Sequence, residues 1–175
     1  MSSEQYDLQP VSRITAGSVG PAGKRVFYLQ ARRDDQLVTL IVEKTQIQSL
    51  AVGLEQFLRE LKRSHPELAE PSAAYDEAGM ELEQPLDPAF RVGQLGLGYD
   101  EPTDMLILVA KQIQSEGDDP EQVAVARFWC TRSQLLAMCQ WGMELAGRGR
   151  PICGNCGEPI DAEGHFCPKR NGHKT

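Results

Sequence analysis

Thr45-Gln-Ile-Gln48-Ser-Leu50-Ala51 recurs 86 residues later as Thr131-Arg-Ser-Gln134-Leu-Leu136-Ala137, and this repeat decides how the chain is read. In each copy a threonine stands three residues before a glutamine. The threonine hydroxyl can accept from the third helical amide while the glutamine side chain accepts from the threonine amide, so both copies predict a helix start. After the first, Ile47, Leu50, Ala51, Leu54, Phe57, Leu58 and Leu61 form one apolar stripe at helical spacing. After the second, Leu135, Leu136, Met138, Cys139, Trp141, Met143 and Leu145 form a broader one that ends at Gly147. The second helix is therefore expected to be the more buried.

Working outward, each helix follows a pair of β-rich runs. Val26 to Ala31 and Leu37 to Val42 precede the first, and Met105 to Ile113 and Val123 to Trp129 precede the second, joined by polar turns at 32–36 and 115–122. Earlier still, Ile14-Thr-Ala-Gly17-Ser-Val-Gly20 resembles Phe90-Arg-Val-Gly93-Gln-Leu-Gly96. Each half then reads strand, strand, strand, helix, over about residues 12–64 and 88–147. The expected body, 1–147, is a duplicated α+β domain with antiparallel-rich sheet or sheets, two main helices and an approximate internal two-fold. Between the halves, 65–87 holds Pro66, Pro71 and Pro85 among many carboxylates and reads as a linker lying on the surface.

With 175 residues, 41% of them apolar, the chain can bury a core without disulfides. Five cysteines, three of them near the C-terminus, and no basic-then-apolar segment before Ser12 fit a reducing cytoplasm. The longest apolar run, Met105 to Ala110, is strand-sized and far short of the roughly 20 residues that span a bilayer, so no membrane partner is expected. A net charge of −7 argues against wholesale nucleic-acid binding. Its distribution is uneven, because Arg148, Arg150, Lys169, Arg170 and Lys174 outnumber Glu158, Asp161 and Glu163 over 148–175.

That tail, 148–175, carries the densest chemistry. Cys153-Gly-Asn-Cys156 has the two-residue spacing that turns two sulfurs toward one point, and Cys167 with a neighbouring histidine completes a tetrahedral set for structural Zn²⁺. The pattern is zinc-ribbon-like, with Arg170 where a fourth cysteine would stand. His165, two residues before Cys167, is the first choice for fourth ligand and His173, six after it, the alternative; iron in place of zinc stays open. Three thiolates make the metal a poor Lewis acid, so a structural role outranks a catalytic one.

Elsewhere the signals are bland. Cys130 and Cys139 read as small apolar fillers, Trp129 and Trp141 as core residues, and His65 as a group facing the negative end of the first helix. The Gly93, Gly96 and Gly98 series lacks the helix that a nucleotide fingerprint requires and reads as a turn or bulge. No Gly-x-Ser-x-Gly, His-Glu-x-x-His or P-loop occurs.

Gly17-Ser-Val-Gly20 before Phe27-Tyr-Leu-Gln-Ala31, Glu43-Lys44, and Arg150-Pro-Ile-Cys153 through Gly164-His-Phe-Cys-Pro-Lys-Arg-Asn-Gly172 resemble an uncharacterised bacterial family, the domain of unknown function family 3090. The resemblance runs over essentially the whole chain. It implies a cytoplasmic bacterial protein with an integral tail, and it brings no catalytic residues. The expected function is a non-enzymatic binding or adaptor module whose partner is another protein, met through Arg148, Arg150, Lys169 and Arg170. Nucleic-acid contact through the basic tail is the alternative, and an enzyme with a ligand cleft between the two halves is the third reading.

Overall fold

The computed structural model describes residues 5–21, 23–119 and 122–148. Its elements run β1 (Gln5–Leu8), β2 (Arg13–Val19), β3 (Val26–Arg33), β4 (Gln36–Val42), α1 (Lys44–Ser64), a 3-10 turn (Glu77–Met80), β5 (Pro88–Asp100), β6 (Met105–Gln112), β7 (Val125–Cys130) and α2 (Arg132–Gly147). The class is α+β with two helices. Three antiparallel strands and a helix occur twice, as β2–β3–β4–α1 and as β5–β6–β7–α2.

The expectation of an antiparallel-rich arrangement needs correction, because the seven strands form a single mixed sheet in the order β1-β7-β6-β5-β4-β3-β2. β4 lies parallel to β5, and β1 lies parallel to β7. Parallel neighbours need a long crossover, and α1 with the segment behind it supplies one between β4 and β5. The two meanders follow one another in the same sense along the sheet.

β1 was not visible as a strand, since Gln5-Tyr-Asp-Leu8 offers only two apolar residues. It exists because β7 offers it an edge. The short corner from β1 to β2 then joins both edges of the sheet: Val11 N–H donates to Trp129 O at 2.8 Å and Ser12 N–H donates to Arg32 O at 2.7 Å. The sheet thus closes on itself through a bent strand.

Inside it, one core runs from Leu29 and Leu40 through Leu106, Leu108 and Phe128 to Leu54 and Leu135. α2 packs on both α1 and β2. The contact is close: a Cβ at Gly142 would sit 2.7 Å from Ile47 Cγ2, and Trp141 Nε1 donates to Ala16 O at 2.9 Å. α2 buries eight residues and α1 four, as the two stripes predict. Met143 departs from that reading at 41% exposed, and Trp129 lies on the outer side of the sheet, where its indole N–H donates to Asp7 at 3.1 Å. On β7 the even-numbered residues face the core, so odd-numbered Trp129 must point outward.

The two helix starts also differ. Thr131 and Gln134 form the expected capping box, with Thr131 Oγ1 accepting from Gln134 N–H at 3.0 Å and Gln134 Oε1 from Thr131 N–H at 2.8 Å. Thr45 does not cap α1. The strand ends at Val42, Glu43 becomes the N-cap, and Gln46 rather than Gln48 reaches back to Glu43 N–H at 2.8 Å.

The proline-rich connection is on the surface, but it is fastened there as a strap. Thr15, Gln30 and Thr39 lie opposite one another on β2, β3 and β4, all buried although polar. Gln30 Oε1 accepts from Glu83 N–H at 2.7 Å, Gln30 Nε2 donates to Glu83 O and Thr39 Oγ1 at 3.0 Å each, and Thr15 Oγ1 donates to Met80 O at 2.7 Å. Burial of amide and hydroxyl groups is tolerated because each finds a partner. Beside them Leu82 sits directly on Gly17, where a Cβ would come within 2.3 Å of it.

Candidate functional site

Where α1 and α2 diverge, a cleft of about 600 Å³ opens between the C-terminal half of α1, the start of α2 and residues 68–71. The geometry follows from the helical stripes. Leu58 and Leu61 point from α1 toward the core side, Leu136 faces them from α2, and Leu68 closes one end, giving an apolar floor. One turn apart on the same helix, Arg59, Lys62 and Arg63 stand exposed along the rim with Glu55 and Glu70, and Lys62 lies 4.0 Å from Glu70.

The end wall is an ion pair. Arg132, the first residue of α2, directs its guanidinium at Asp104, with Nε 2.9 Å from Oδ1 and Nη2 3.1 Å from Oδ2. Such two-pronged pairs are the strong form of the interaction. Asp104 is held at φ 51°, a backbone state that Asp tolerates better than most residues, at the end of the β5–β6 turn. Tyr99 O–H donates to the same Oδ1 at 2.8 Å. The Arg132 hydrogen bond, helped by that from Tyr99, holds the Asp104 carboxyl below its usual range against the opposing effect of burial. Burial first, and then the Asp104 contact, pushes Tyr99 up to about 12. The third guanidinium nitrogen donates to Ala69 O at 2.6 Å, and Ser133 Oγ accepts from Ser72 N–H at 2.9 Å, so the rim is tied to α2. His65 caps the end of α1, its N–H donating to Leu61 O at 2.8 Å, and packs 5.8 Å from the Tyr99 ring.

Near neutral pH Asp104 is ionised and Tyr99 protonated, so the phenol donates and the carboxylate accepts within this cluster. Cys130 and Cys139 are buried, and burial pushes both thiols up to about 12, the behaviour of apolar filler. Gly93 marks an irregularity in the β5–β6 register, a bulge within a strand.

Of the residues expected to bind metal or partner, only Arg148 falls within the described residues. Its guanidinium lies 4.9 Å above the Trp141 ring, pairs with Glu144 at 3.2 Å and also pairs with Glu77 of the 3-10 turn. It therefore fastens the root of the tail to the strap. Cys153, Cys156, Cys167, His165, His173, Arg150, Lys169 and Arg170 lie outside the described residues. Among the described residues no group of three or more His, Cys, Asp or Glu could hold a metal, and no helix is long and apolar enough to cross a membrane.

The model of a family described as Protein of unknown function (DUF3090) matches residues 6–167. The chain belongs to that family. The family match takes in both meanders, the strap, and the tail as far as Cys167, so Cys153, Cys156 and His165 fall inside it and His173 outside. No curated protein and no solved structure matches the chain.

Sequence reading missed the cleft and the strap's anchoring. The cleft depends on how far two helices diverge, which no spacing within either encodes. A signal for the strap did exist: Gln30 and Thr39 interrupt otherwise apolar strands, and buried amides need partners from elsewhere.

Proposed function

We propose that this member of the family is a non-enzymatic binding or adaptor module. Its body receives an acidic segment of another protein in the interhelical cleft, and its tail holds structural Zn²⁺ in a zinc-ribbon-like site. The observation that carries the reading is the cleft itself: an apolar floor under a rim on which Arg59, Lys62 and Arg63 outnumber Glu55 and Glu70 suits a chain that presents carboxylates around an apolar residue. The ion-paired Arg132–Asp104 wall supports binding over turnover, since its groups are already committed to each other.

In the tail, Cys153, Cys156, Cys167 and His165 are the proposed ligands, with His173 as the alternative; that His165 lies within the family match and His173 beyond it supports the first. Arg150, Lys169 and Arg170 are proposed as the cations the tail offers to a partner. The two meander-plus-helix units are proposed to be a duplication, on the strength of their like order along the sheet and of helices that each open on a capping box closed by a glutamine, Glu43 with Gln46 and Thr131 with Gln134.

Fluorescence anisotropy with two labelled probes, a poly-glutamate peptide and a single-stranded oligonucleotide, tests the reading. The wild-type chain is expected to bind the acidic peptide and an Arg59→Glu/Arg63→Glu variant to bind it at least tenfold more weakly. Oligonucleotide binding that falls steeply with salt, with no peptide binding, would transfer the function to nucleic-acid contact through the tail. Elemental analysis is expected to find one zinc per chain, lost in Cys156→Ser and in one of His165→Ala or His173→Ala. No metal in the wild type would remove the ribbon.

A further inference from the structure

The outward side of the second meander is built like the outward side of the first, yet only the first is covered. Ile41 and Trp129 each stand three residues before the first residue of the following helix, and the strand registers extend them to Ile41–Tyr28–Gly17 and to Trp129–Ile107–Gly98. Both rows place a glycine beside two large side chains. Two residues further back, Thr39–Gln30–Thr15 matches Arg127–Val109–Gly96, and beyond that Leu37–Arg32–Arg13 matches Val125–Lys111–Gln94. Each face therefore grades from an apolar row with a glycine to a row that carries a cation.

On the first face the strap uses this gradient. Leu82 occupies the space above Gly17, the Glu83 backbone bonds Gln30, and the Glu83 carboxylate meets Arg32 Nε at 3.0 Å and Arg13 Nη1 at 3.4 Å. On the second face the same rows line a groove of about 430 Å³. A Cβ at Gly96 would meet nothing within 4 Å, and one at Gly98 only Ile107 Cβ at 3.9 Å. Trp129, Ile107 and Val109 are half-buried there, and Lys111 is exposed and, among the described residues, in no ion pair. Asp7 lies at the β1 margin, where it accepts from the Trp129 indole.

We propose that this groove is a second docking surface, distinct from the interhelical cleft, for an extended segment of another protein in which a branched aliphatic residue precedes a glutamate, as Leu82 precedes Glu83 in the strap. The aliphatic side chain seats over Gly98 between Ile107 and Trp129. The carboxylate lies toward Lys111 and Arg127, the charge that the groove offers. On the first face Gly17, Arg13 and Arg32 receive such a segment, with Gln30 adding backbone bonds where the second face has Val109, and covalent attachment keeps that face filled.

The test uses the full chain and a fluorescein-labelled peptide with the sequence of residues 77–87 as probe, read by anisotropy. Saturable binding is expected, weakened at least tenfold by Gly98→Val, which fills the seat, and by Lys111→Glu, which reverses the charge, and unchanged by Arg59→Glu/Arg63→Glu. Failure of the last variant to matter separates this surface from the cleft. Lys111→Glu, at an exposed position, keeps the test valid should Gly98→Val fold poorly. Absence of binding to the wild type, or equal affinity for wild type, Gly98→Val and Lys111→Glu, overturns the proposal. So does a concentration-dependent dimer in sedimentation that Gly98→Val abolishes, which would make a second copy of the chain the occupant.

Discussion

Leu82 covers Gly17 on the first meander, whereas Gly98 of the second faces open groove, although the strands beneath them run in the same order and register. The first face has buried polar side chains, Thr15, Gln30 and Thr39, and the second has Gly96, Val109 and Arg127 in the matching row. The difference teaches that a buried amide in a strand marks a face the chain itself completes. A half-buried aliphatic and aromatic face with cations at its margin carries no such polar anchor, and by the proposal above it is the one a partner fills.

Gln30→Ala gives the largest expected break in this comparison. It removes three hydrogen bonds and strands the Glu83 backbone, for a loss of about 3 kcal/mol of folding stability. Lys111→Ala on the other face is expected to change stability by less than about 0.5 kcal/mol. Urea unfolding of the two variants checks both.

The helix starts give a smaller contrast. Thr131→Ala breaks a formed cap and is expected to cost about 1 kcal/mol. Thr45→Ala, inside the first turn of α1, is expected to be neutral or slightly stabilising because Ala is the better helix former. Thermal melts of the pair decide whether the repeat motif plays the same role twice.

The smallest effect is electrostatic. The hydrogen bond from Arg32 holds the Glu83 carboxyl below its usual range, with the charges of Arg32 and Arg13 adding to it and burial opposing. A folded value below the unfolded one means stabilisation present above the unfolded value and lost as pH falls through the folded one. Glu83→Gln should therefore flatten the stability profile on the acid side and leave its slope above pH 7 unchanged. The pair is partly exposed, so the effect stays below about 1 kcal/mol. An acid limb of the same steepness in Glu83→Gln as in the wild type would show that the strap is not held by this pair.

Most of the regular structure was legible because it is written in local periodicity. β3, β4, β6, β7 and both helices follow from alternation and helical stripes, with α1 beginning at Lys44 rather than after Thr45. β1 was illegible since its pairing is supplied by β7, more than a hundred residues away. The mixed sheet was illegible for a related reason: nothing local tells whether β4 meets β5 or β7. Trp129 read as core because a tryptophan in a strand is apolar on either face, and only the alternation of β7 and the indole bond to Asp7 settle which. Arg148 read as a partner contact; its stacking on Trp141 is local to the end of α2, while its pairing with Glu77 depends on the fold bringing the strap there. The cleft lies between two helices and is set by their tertiary packing, which the spacing within neither helix encodes.

Denaturant unfolding of Gly17→Ala beside Gly98→Ala tests the central claim most directly, because the same methyl group is added to a covered face and to an open one. The account predicts that Gly17→Ala, pressed against Leu82, loses about 1–3 kcal/mol. Gly98→Ala should be neutral or gain up to about 1 kcal/mol from reduced freedom of the unfolded chain. Equal destabilisation by the two substitutions would contradict it, by showing that the second face is as tightly covered as the first.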